Sequence, residues 1–273
     1  MKTKLKTSLL GRSHLFGAVI CVTGLIWIAS RTQAQNLVTN GSFEYPVVTT
    51  FSYGPTNAVW TFPSLGGISH NQHIAPYAGF LTAGSIPDGV QLAYIQELGN
   101  YMDQQITFPN TGTYLLDYFA GGRKIDASGG PPFGGDTSYQ VYIISGGVTN
   151  VIATGNTSTD TAMTKRGPVR FIASAGPATL RFQVTQINIG NPDQTALFDE
   201  ISITPAPQLA INLSTINAIL TWSTNFSGYL LQTNGSLTTT NWATLTTNYG
   251  VISTNYAITN FIGSDQLYFR LSQ

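Results

Sequence analysis

The sequence predicts an all-β protein, an antiparallel jelly-roll sandwich followed by a small C-terminal β-domain. Apolar and polar residues alternate with a period of two along much of the chain, the pattern of half-buried strands. Clusters of glycine, proline and asparagine separate these segments, and no long segment after residue 34 has a sustained helical period. Charged residues make up only 9% of the chain, whereas the strand-favouring residues Thr, Tyr, Ile and Val are abundant.

The first 34 residues read as a secretory signal peptide. Lys2, Lys4 and Lys6 begin it, an apolar stretch covers residues 15–29, and Thr32-Gln33-Ala34 offers a small-residue cleavage site. The apolar stretch is short for a membrane span, although an uncleaved anchor remains the alternative. We therefore expect an extracellular protein, either secreted or at the cell surface. The mature chain is expected to have no membrane span.

The charge and the cysteine content of the mature chain exclude some classes of protein. Five of the 12 basic residues lie in residues 1–34, which leaves 7 basic residues against 12 acidic ones. This mildly acidic chain is not expected to bind nucleic acid. The single cysteine, Cys21, also lies in the signal, so no disulfide is expected, and stability must come from the core and from any bound metal ion.

Five segments of alternating pattern are predicted as strands of a sandwich domain over residues 36–205. In the fourth of them, Leu180, Phe182 and Val184 take one face, while polar side chains take the other. The five predicted strands are 90–97, 113–120, 139–144, 179–185 and 197–203.

A proline-containing joint separates the sandwich from a second domain. Thr204-Pro205-Ala206-Pro207 predicts a stiff connection, and residues 206–273 read as this linker and a small β-domain. Its short strands are expected around residues 218–222, 229–232, 242–245, 256–258 and 267–270. The tryptophans Trp60, Trp222 and Trp242 are expected to fill the two cores.

Four segments of the first domain carry a family resemblance. They are an opening strand at 36–46, a "dG-x-Q" strand at 88–94, a "G-x-Y-x-L-x-F" strand with a following arginine at 112–123, and a closing strand at 193–203. In this order they resemble the galactose-binding-like β-sandwiches. Within that group the chain looks most like exported bacterial relatives of the plant cell-wall family called domain of unknown function 642. More distantly, it resembles the family 4 and family 9 carbohydrate-binding modules.

The resemblance implies a structural calcium ion held by Glu44 and Asp199. Asp199 also shares strand parity with Leu197, Ile201 and Ile203, so an alternating strand points it toward the core, where a carboxylate needs a partner. Calcium takes six to eight oxygen ligands, so backbone carbonyls and water would supply the rest. The alternative is that the two acids only cap turns or accept backbone N–H bonds.

The second domain is similar to small C-terminal β-modules of exported bacterial proteins. Leu220-Thr221-Trp222, Leu231-Gln232, the segment 237–242 and Phe269-Arg270-Leu271 carry this resemblance. It implies an accessory or attachment role and no chemistry.

A glycan site would combine aromatic platforms with amide and hydroxyl groups, because sugars present apolar faces and fixed hydroxyls. Most tyrosines of a sandwich are instead cross-strand packing partners, and that is the alternative for each candidate. The candidate ligand-binding residues are Tyr53, His70, His73, Tyr77, Tyr94, Arg123, Tyr139 and Tyr142.

The sequence predicts binding rather than catalysis. No motif pairs two carboxylates across a cleft, and no Gly-x-Ser-x-Gly elbow occurs. We therefore expect an exported, non-catalytic carbohydrate-binding protein that binds cell-wall or environmental polysaccharide. The alternative is a structural or adhesive surface protein with no sugar site. A groove lined by exposed aromatic residues would favour the first, and a flat threonine-rich face the second.

Overall fold

The computed structural model describes residues 35–70, 86–123, 136–158, 162–187, 194–213, 216–245, 249–261 and 266–272. These residues are almost entirely strands, loops and turns, with one 3-10 turn at Thr224–Phe226. No helix in this part of the chain is long and apolar enough to cross a membrane. The all-β prediction is confirmed.

Ten strands build a β-sandwich of two antiparallel sheets. One sheet has the order β1-β2-β3-β10-β5-β8 and the other β4-β9-β6-β7. From β3 onward the chain passes repeatedly between the two sheets, which is the connectivity of a jelly roll. The bounds are β1 Phe51–Tyr53, β2 Gly66–His70, β3 Gln91–Gln96, β4 Tyr101–Phe108, β5 Gly112–Gly122, β6 Thr137–Ser145, β7 Val148–Thr157, β8 Thr164–Ala173, β9 Gly176–Ile187 and β10 Thr195–Pro205.

Aromatic side chains from both sheets meet in the main core. The ring of Phe198 lies 5.0 Å from that of Phe182 and 4.9 Å from that of Tyr139, both on the opposite sheet. The predicted alternation of β9 is confirmed, because Leu180, Phe182 and Val184 are fully buried. Large buried rings contribute strongly to such cores, and truncating one to alanine costs about 3–5 kcal/mol.

The parity prediction for Asp199 is wrong, although the residue is fully buried as expected. The β5–β10 register shifts between Asp199 and Ser202, and Glu200 has a φ of 49°. This bulge reverses the alternation. Leu197 therefore belongs to a small cluster on the outer side of its sheet, whereas Ile201 and Ile203 belong to the main core. Asp199 precedes the bulge and shares the outer side with Leu197.

The described residues between 210 and 272 form two further antiparallel sheets, ordered β11-β12-β16-β15 and β14-β13-β17. Their own core contains the fully buried Trp222, whose ring lies 4.7 Å from Tyr249 and 5.4 Å from Tyr256. Every strand predicted here from the sequence is present. The bounds are β11 Ala210–Leu213, β12 Asn217–Ser223, β13 Leu230–Asn234, β14 Ala243–Thr244, β15 Gly250–Ile252, β16 Asn255–Phe261 and β17 Tyr268–Ser272.

The three tryptophans do not all fill cores. Trp60 is 3% exposed and packs its ring 5.3 Å from Phe43, and Trp222 is 1% exposed. Trp242 is only partly buried, and the guanidinium of Arg270 lies over its ring. The prediction is therefore wrong for Trp242, because β14 is a two-residue strand at the edge of its sheet and leaves the side chain before it at the surface.

Candidate functional site

The turn Asp88–Gln91 brings the two predicted metal-binding acids together. Oε1 of Glu44 accepts hydrogen bonds from the backbone N–H groups of Val90 and Gln91, both at 2.8 Å. Oδ2 of Asp199 accepts one from Asp88 N–H at 3.0 Å. Two carboxylates 155 positions apart in the sequence thus bind one four-residue turn.

The structure of this turn explains why the "dG-x-Q" motif contains a glycine and a glutamine. Gly89 has a φ of 64°, and a Cβ there would lie 2.2 Å from Oε1 of Glu44, so only glycine fits. Gln91 is buried, and its Nε2 donates to the carbonyls of Phe43 and Pro46 at 2.6 and 3.0 Å. The motif therefore fixes the loop that carries Glu44.

The environment of Asp199 is short of positive charge. Burial raises the pKa of this carboxyl to about 8; hydrogen bonds from the N–H groups of Asp88 and Glu200 oppose that rise, and the charges of the same two residues add to it. In the described part of the chain neither Asp199 nor Glu44 has a cationic partner. A buried carboxylate among other acids suits a bound cation.

The ligand set for such a cation includes more than side chains. The described residues contain no group of three or more His, Cys, Asp or Glu side chains placed to hold a metal ion. Two carboxylates and oxygen atoms of the surrounding turns are nevertheless compatible with calcium, which accepts backbone carbonyls and water. The oxygens Oε1 of Glu44 and Oδ1 and Oδ2 of Asp199 accept backbone N–H bonds, as the alternative interpretation states, and calcium at Glu44 and Asp199 stays a prediction.

The outer side of the β4-β9-β6-β7 sheet carries a second group of side chains, here called the polar face. It consists of Tyr101, Asp103, Gln140, Tyr142, Arg181 and Gln183. The strand register sets them in two rows, in which Tyr101, Gln183 and Gln140 are neighbours and Asp103, Arg181 and Tyr142 are neighbours. All six alternate with core residues and are partly exposed.

Arg181 is fixed at the centre of the polar face. Its Nε and Nη2 donate to the two carboxylate oxygens of Asp103 at 2.8 and 2.7 Å, a bidentate pair. The guanidinium carbon also lies 3.7 Å from the centre of the Tyr101 ring. The hydrogen bond with Asp103 is the main cause that raises the pKa of Arg181. The pair leaves this part of the face rigid and without net charge.

Tyr142 completes the polar face beside an amide. Its hydroxyl donates to Oε1 of Gln140 at 2.6 Å. A surface groove borders the row of Gln140 and Gln183 at one end of the sheet. The groove is lined by Leu98, Asp136, Ser138, Asn156, Thr185, Gln186 and Ile187. The described lining of this groove contains no aromatic residue, so the expected groove of exposed aromatic residues is not found here; the rings, amides and ion pair of the polar face lie beside it.

The ligand-binding residues predicted from the sequence do not form one site. Tyr53 on β1 and His70 on β2 belong to the six-stranded sheet, as does Arg123, which directly follows β5. Tyr53 donates its hydroxyl to Oε1 of Gln96 at 2.5 Å, and Arg123 is 7% exposed. Tyr142 lies on the other sheet and is the only one of these four residues on the polar face.

The remaining candidates fall into two groups. Tyr94 and Tyr139 are at most 1% exposed, so they are packing residues as the alternative interpretation states. His73 and Tyr77 lie outside the described residues. The sequence analysis did not select Tyr101, Arg181 or Gln183 as ligand residues. The polar positions 181, 183 and 185 of β9 were the signal that could have found the face.

Comparisons with known proteins return structures only. No protein-family model and no curated protein matches the chain. The CBM22-1 xylan-binding domain of Xyn10C from Paenibacillus barcinonensis has 14% identity and a TM-score of 0.37, with 64% of this chain and 96% of that one covered. The module TmCBM61, solved with β-1,4-galactotriose, has 11% identity and a TM-score of 0.37, with 63% and 100% covered.

A family 4 carbohydrate-binding module has 13% identity and a TM-score of 0.36, with 62% of this chain and 99% of that one covered. Carbohydrate-binding modules are thus structural neighbours of this chain, in agreement with that part of the sequence resemblance. The resemblance to the plant cell-wall family and to small C-terminal modules stays a prediction. Because identity and TM-score are low, the function is argued below from the residues of this chain alone.

Proposed function

We propose that this protein is an exported, non-catalytic carbohydrate-binding protein that binds neutral polysaccharide of cell walls or of the environment on its polar face. The observation that carries the proposal is the two-row arrangement in which Tyr101 and Tyr142 flank Arg181 and two glutamines. Tyrosine rings suit the apolar faces of sugars, and amides and a guanidinium suit their hydroxyls. A flat threonine-rich face here would instead favour the rival role, a structural or adhesive surface protein.

The charge balance of the polar face supports a neutral ligand. Its only carboxylate, Asp103, and its only cation, Arg181, bind each other through two hydrogen bonds. An acidic sugar would have to compete with Asp103 for the guanidinium. The same pairing supports a non-catalytic role, because glycoside hydrolysis needs two free carboxylates facing each other across the substrate.

Retention on polysaccharides tests this site. The purified protein is incubated with insoluble neutral glycans, including xylan, galactan and cellulose, and the retained fraction is measured. We expect retention on at least one of them, and a fall of about tenfold or more for Tyr101→Ala and for Tyr142→Ala, since each loses an aromatic platform. Tyr53→Ala, on the other sheet, should behave as the wild type.

Two results would contradict the proposal. If the folded protein is retained on none of the glycans, the structural or adhesive role becomes the better interpretation. If Tyr53→Ala loses retention while Tyr101→Ala and Tyr142→Ala keep it, the glycan site lies on the six-stranded sheet. Circular dichroism and an unchanged unfolding midpoint show that each variant is folded.

We also propose that calcium, bound by Glu44 and Asp199, stabilises the sandwich. Calcium would neutralise the acidic surroundings of Asp199 and link the opening loop, the Asp88–Gln91 turn and the middle of β10. At about 100 times its dissociation constant, a bound ion adds about 2.7 kcal/mol to the free energy of unfolding. Thermal unfolding is measured in calcium and in chelator.

The variants Glu44→Ala and Asp199→Asn should lose the stability that calcium adds, whereas Asp136→Ala, at an exposed acid elsewhere, should keep it. If both site variants keep the calcium-dependent gain, the metal assignment is wrong. Export is tested separately: cleavage of the signal after Ala34 predicts a secreted protein that begins at Gln35. N-terminal sequencing of the extracellular protein decides between cleavage and a retained anchor.

A further inference from the structure

The β14-β13-β17 sheet presents an aromatic and polar surface on its outer side. Leu231 of β13 is fully buried, so its neighbour Gln232 points the other way. The strand register places Gln232 between Thr244 of β14 and Arg270 of β17. Trp242, directly before β14, is partly exposed beside them.

Arg270 is held in a fixed position on this surface. Its guanidinium carbon lies 4.3 Å from the centre of the Trp242 ring. Its Nε donates to Oε1 of Gln232 at 2.9 Å, and Nε2 of Gln232 donates to Oγ1 of Thr244 at 3.2 Å. Stacking and a chain of hydrogen bonds therefore order a side chain that is otherwise exposed to solvent.

No described residue neutralises the positive charge of Arg270. Among the described residues no carboxylate lies within 4.0 Å of its guanidinium, and its Nη atoms donate to no described acceptor. Residues 206–273 contain only one other charged residue, Asp265. A guanidinium held by its Nε still offers donors on its Nη atoms, and these suit carboxylate oxygens.

We propose that this surface is a second glycan site, which binds the carboxylate of a uronic acid in an acidic polysaccharide. Arg270 binds the carboxylate, and the Trp242 ring together with Gln232 and Thr244 contacts the sugar next to it. The site is separate from the polar face and does not depend on it. It gives the C-terminal β-region a binding role of its own.

Affinity electrophoresis in gels that contain an acidic polysaccharide tests the proposal. Polygalacturonate, alginate and hyaluronate are the probes, and fully methyl-esterified polygalacturonate is the matched neutral probe. We expect retardation of the protein by at least one acidic probe, and much less by the ester, since the ester removes the carboxylate. Added salt should weaken the retardation, because the contact is electrostatic.

Three variants assign that retardation to Arg270. Arg270→Gln and Trp242→Ala should each weaken binding by about tenfold or more. Arg270→Lys, which keeps the charge but loses the planar fork, should bind with intermediate affinity. Arg170→Gln, at an exposed arginine of β8, is the matched control for lost net charge and should bind as the wild type.

Each of three results would overturn the second site: no retardation by any acidic probe, equal retardation by the ester, or an equal loss in Arg170→Gln and Arg270→Gln. These outcomes are independent of the polar face. A protein that fails on neutral glycans but binds polygalacturonate through Arg270 contradicts the proposed function and supports the second site. The reverse result contradicts only the second site.

Discussion

Arg181 and Arg270 each lie over an aromatic ring, and they differ in which described groups bind the guanidinium. Arg181 lies 3.7 Å from the ring centre of Tyr101 and forms a bidentate ion pair with Asp103. Arg270 lies 4.3 Å from the ring centre of Trp242 and, among the described residues, donates a hydrogen bond only to the neutral amide of Gln232. The stacking is alike in both places, but Arg181 is paired with a carboxylate, whereas Arg270 has no carboxylate partner among the described residues.

An arginine–aromatic stack therefore does not by itself determine which ligand a surface binds. The group that binds the guanidinium decides whether its charge is available to a sugar carboxylate. The exposure of each arginine follows the same division. The side chains of Arg181 and Asp103 are only 24% and 16% exposed, whereas Arg270 is at the surface of a small sheet. An ion pair thus accompanies the more buried arginine, as desolvation requires.

The largest effect that we expect is a stability difference between the two equivalent substitutions. Arg181→Gln leaves the carboxylate of Asp103 without its charged partner in a half-buried place, and should lower the free energy of unfolding by about 1–3 kcal/mol. Arg270→Gln removes an exposed side chain with no ion pair and should change it by less than about 0.5 kcal/mol. Urea unfolding of both variants measures the two changes.

Equal losses in the two variants would contradict this comparison, because they would mean that Asp103 does not depend on Arg181. The slope of the free energy of unfolding against urea concentration should be the same in both variants and the wild type, so that a shifted midpoint reports a change in stability.

The sequence predicted which side chains share one face of a strand more successfully than which strands are neighbours in the sheet. The alternation of β9 assigned Arg181 and Gln183 to its polar side, and the structure confirms this. This alternation could not predict that Tyr101 and Asp103 are the neighbours of Gln183 and Arg181 on the adjacent strand, because the sequence did not indicate β4 as a strand. Gln104 interrupts its apolar pattern, and it is buried only because its amide exchanges two hydrogen bonds with the backbone of Thr39.

The sequence also did not predict correctly which of two tyrosines on one strand is buried. Tyr139 and Tyr142 both lie on β6 and both were candidate ligand residues, yet their odd spacing puts one in the core and the other on the polar face. The bulge after Asp199 could not be predicted either. It depends on a close approach, since a Cβ at Gly41 would lie 2.0 Å from the carbonyl oxygen of Ile201, a residue 160 positions away.

An intermediate effect is expected if Arg181 on the polar face loses its carboxylate partner and so resembles Arg270. Asp103→Asn keeps the shape of the side chain but frees the charge of Arg181. In an Arg270→Gln background, this change should raise affinity for polygalacturonate by about tenfold, since a guanidinium–carboxylate contact becomes possible on the polar face. Affinity electrophoresis with the acidic polymer and its methyl ester measures the gain.

The background substitution matters because it removes the competing site, and the neutral-glycan assay shows that the face is intact. Unchanged affinity for polygalacturonate, with neutral-glycan binding preserved, would mean that the charge of Arg181 does not govern the choice of ligand.

The smallest effect concerns how firmly Arg270 is held. Gln232→Leu removes the acceptor of the Arg270 Nε–H and leaves the charge and the Trp242 ring in place. A freer arginine must be ordered when the ligand binds, which costs about 0.5–1.5 kcal/mol and lowers affinity for the acidic polymer about two- to tenfold. Gln105→Leu is the matched control. Gln105 lies on the β4-β9-β6-β7 sheet, and its Nε2 also donates to a neighbouring threonine, Thr179. Affinity electrophoresis of both variants decides: a loss confined to Gln232→Leu means that the amide positions the guanidinium. Equal affinities would mean that stacking on Trp242 alone is sufficient to order it.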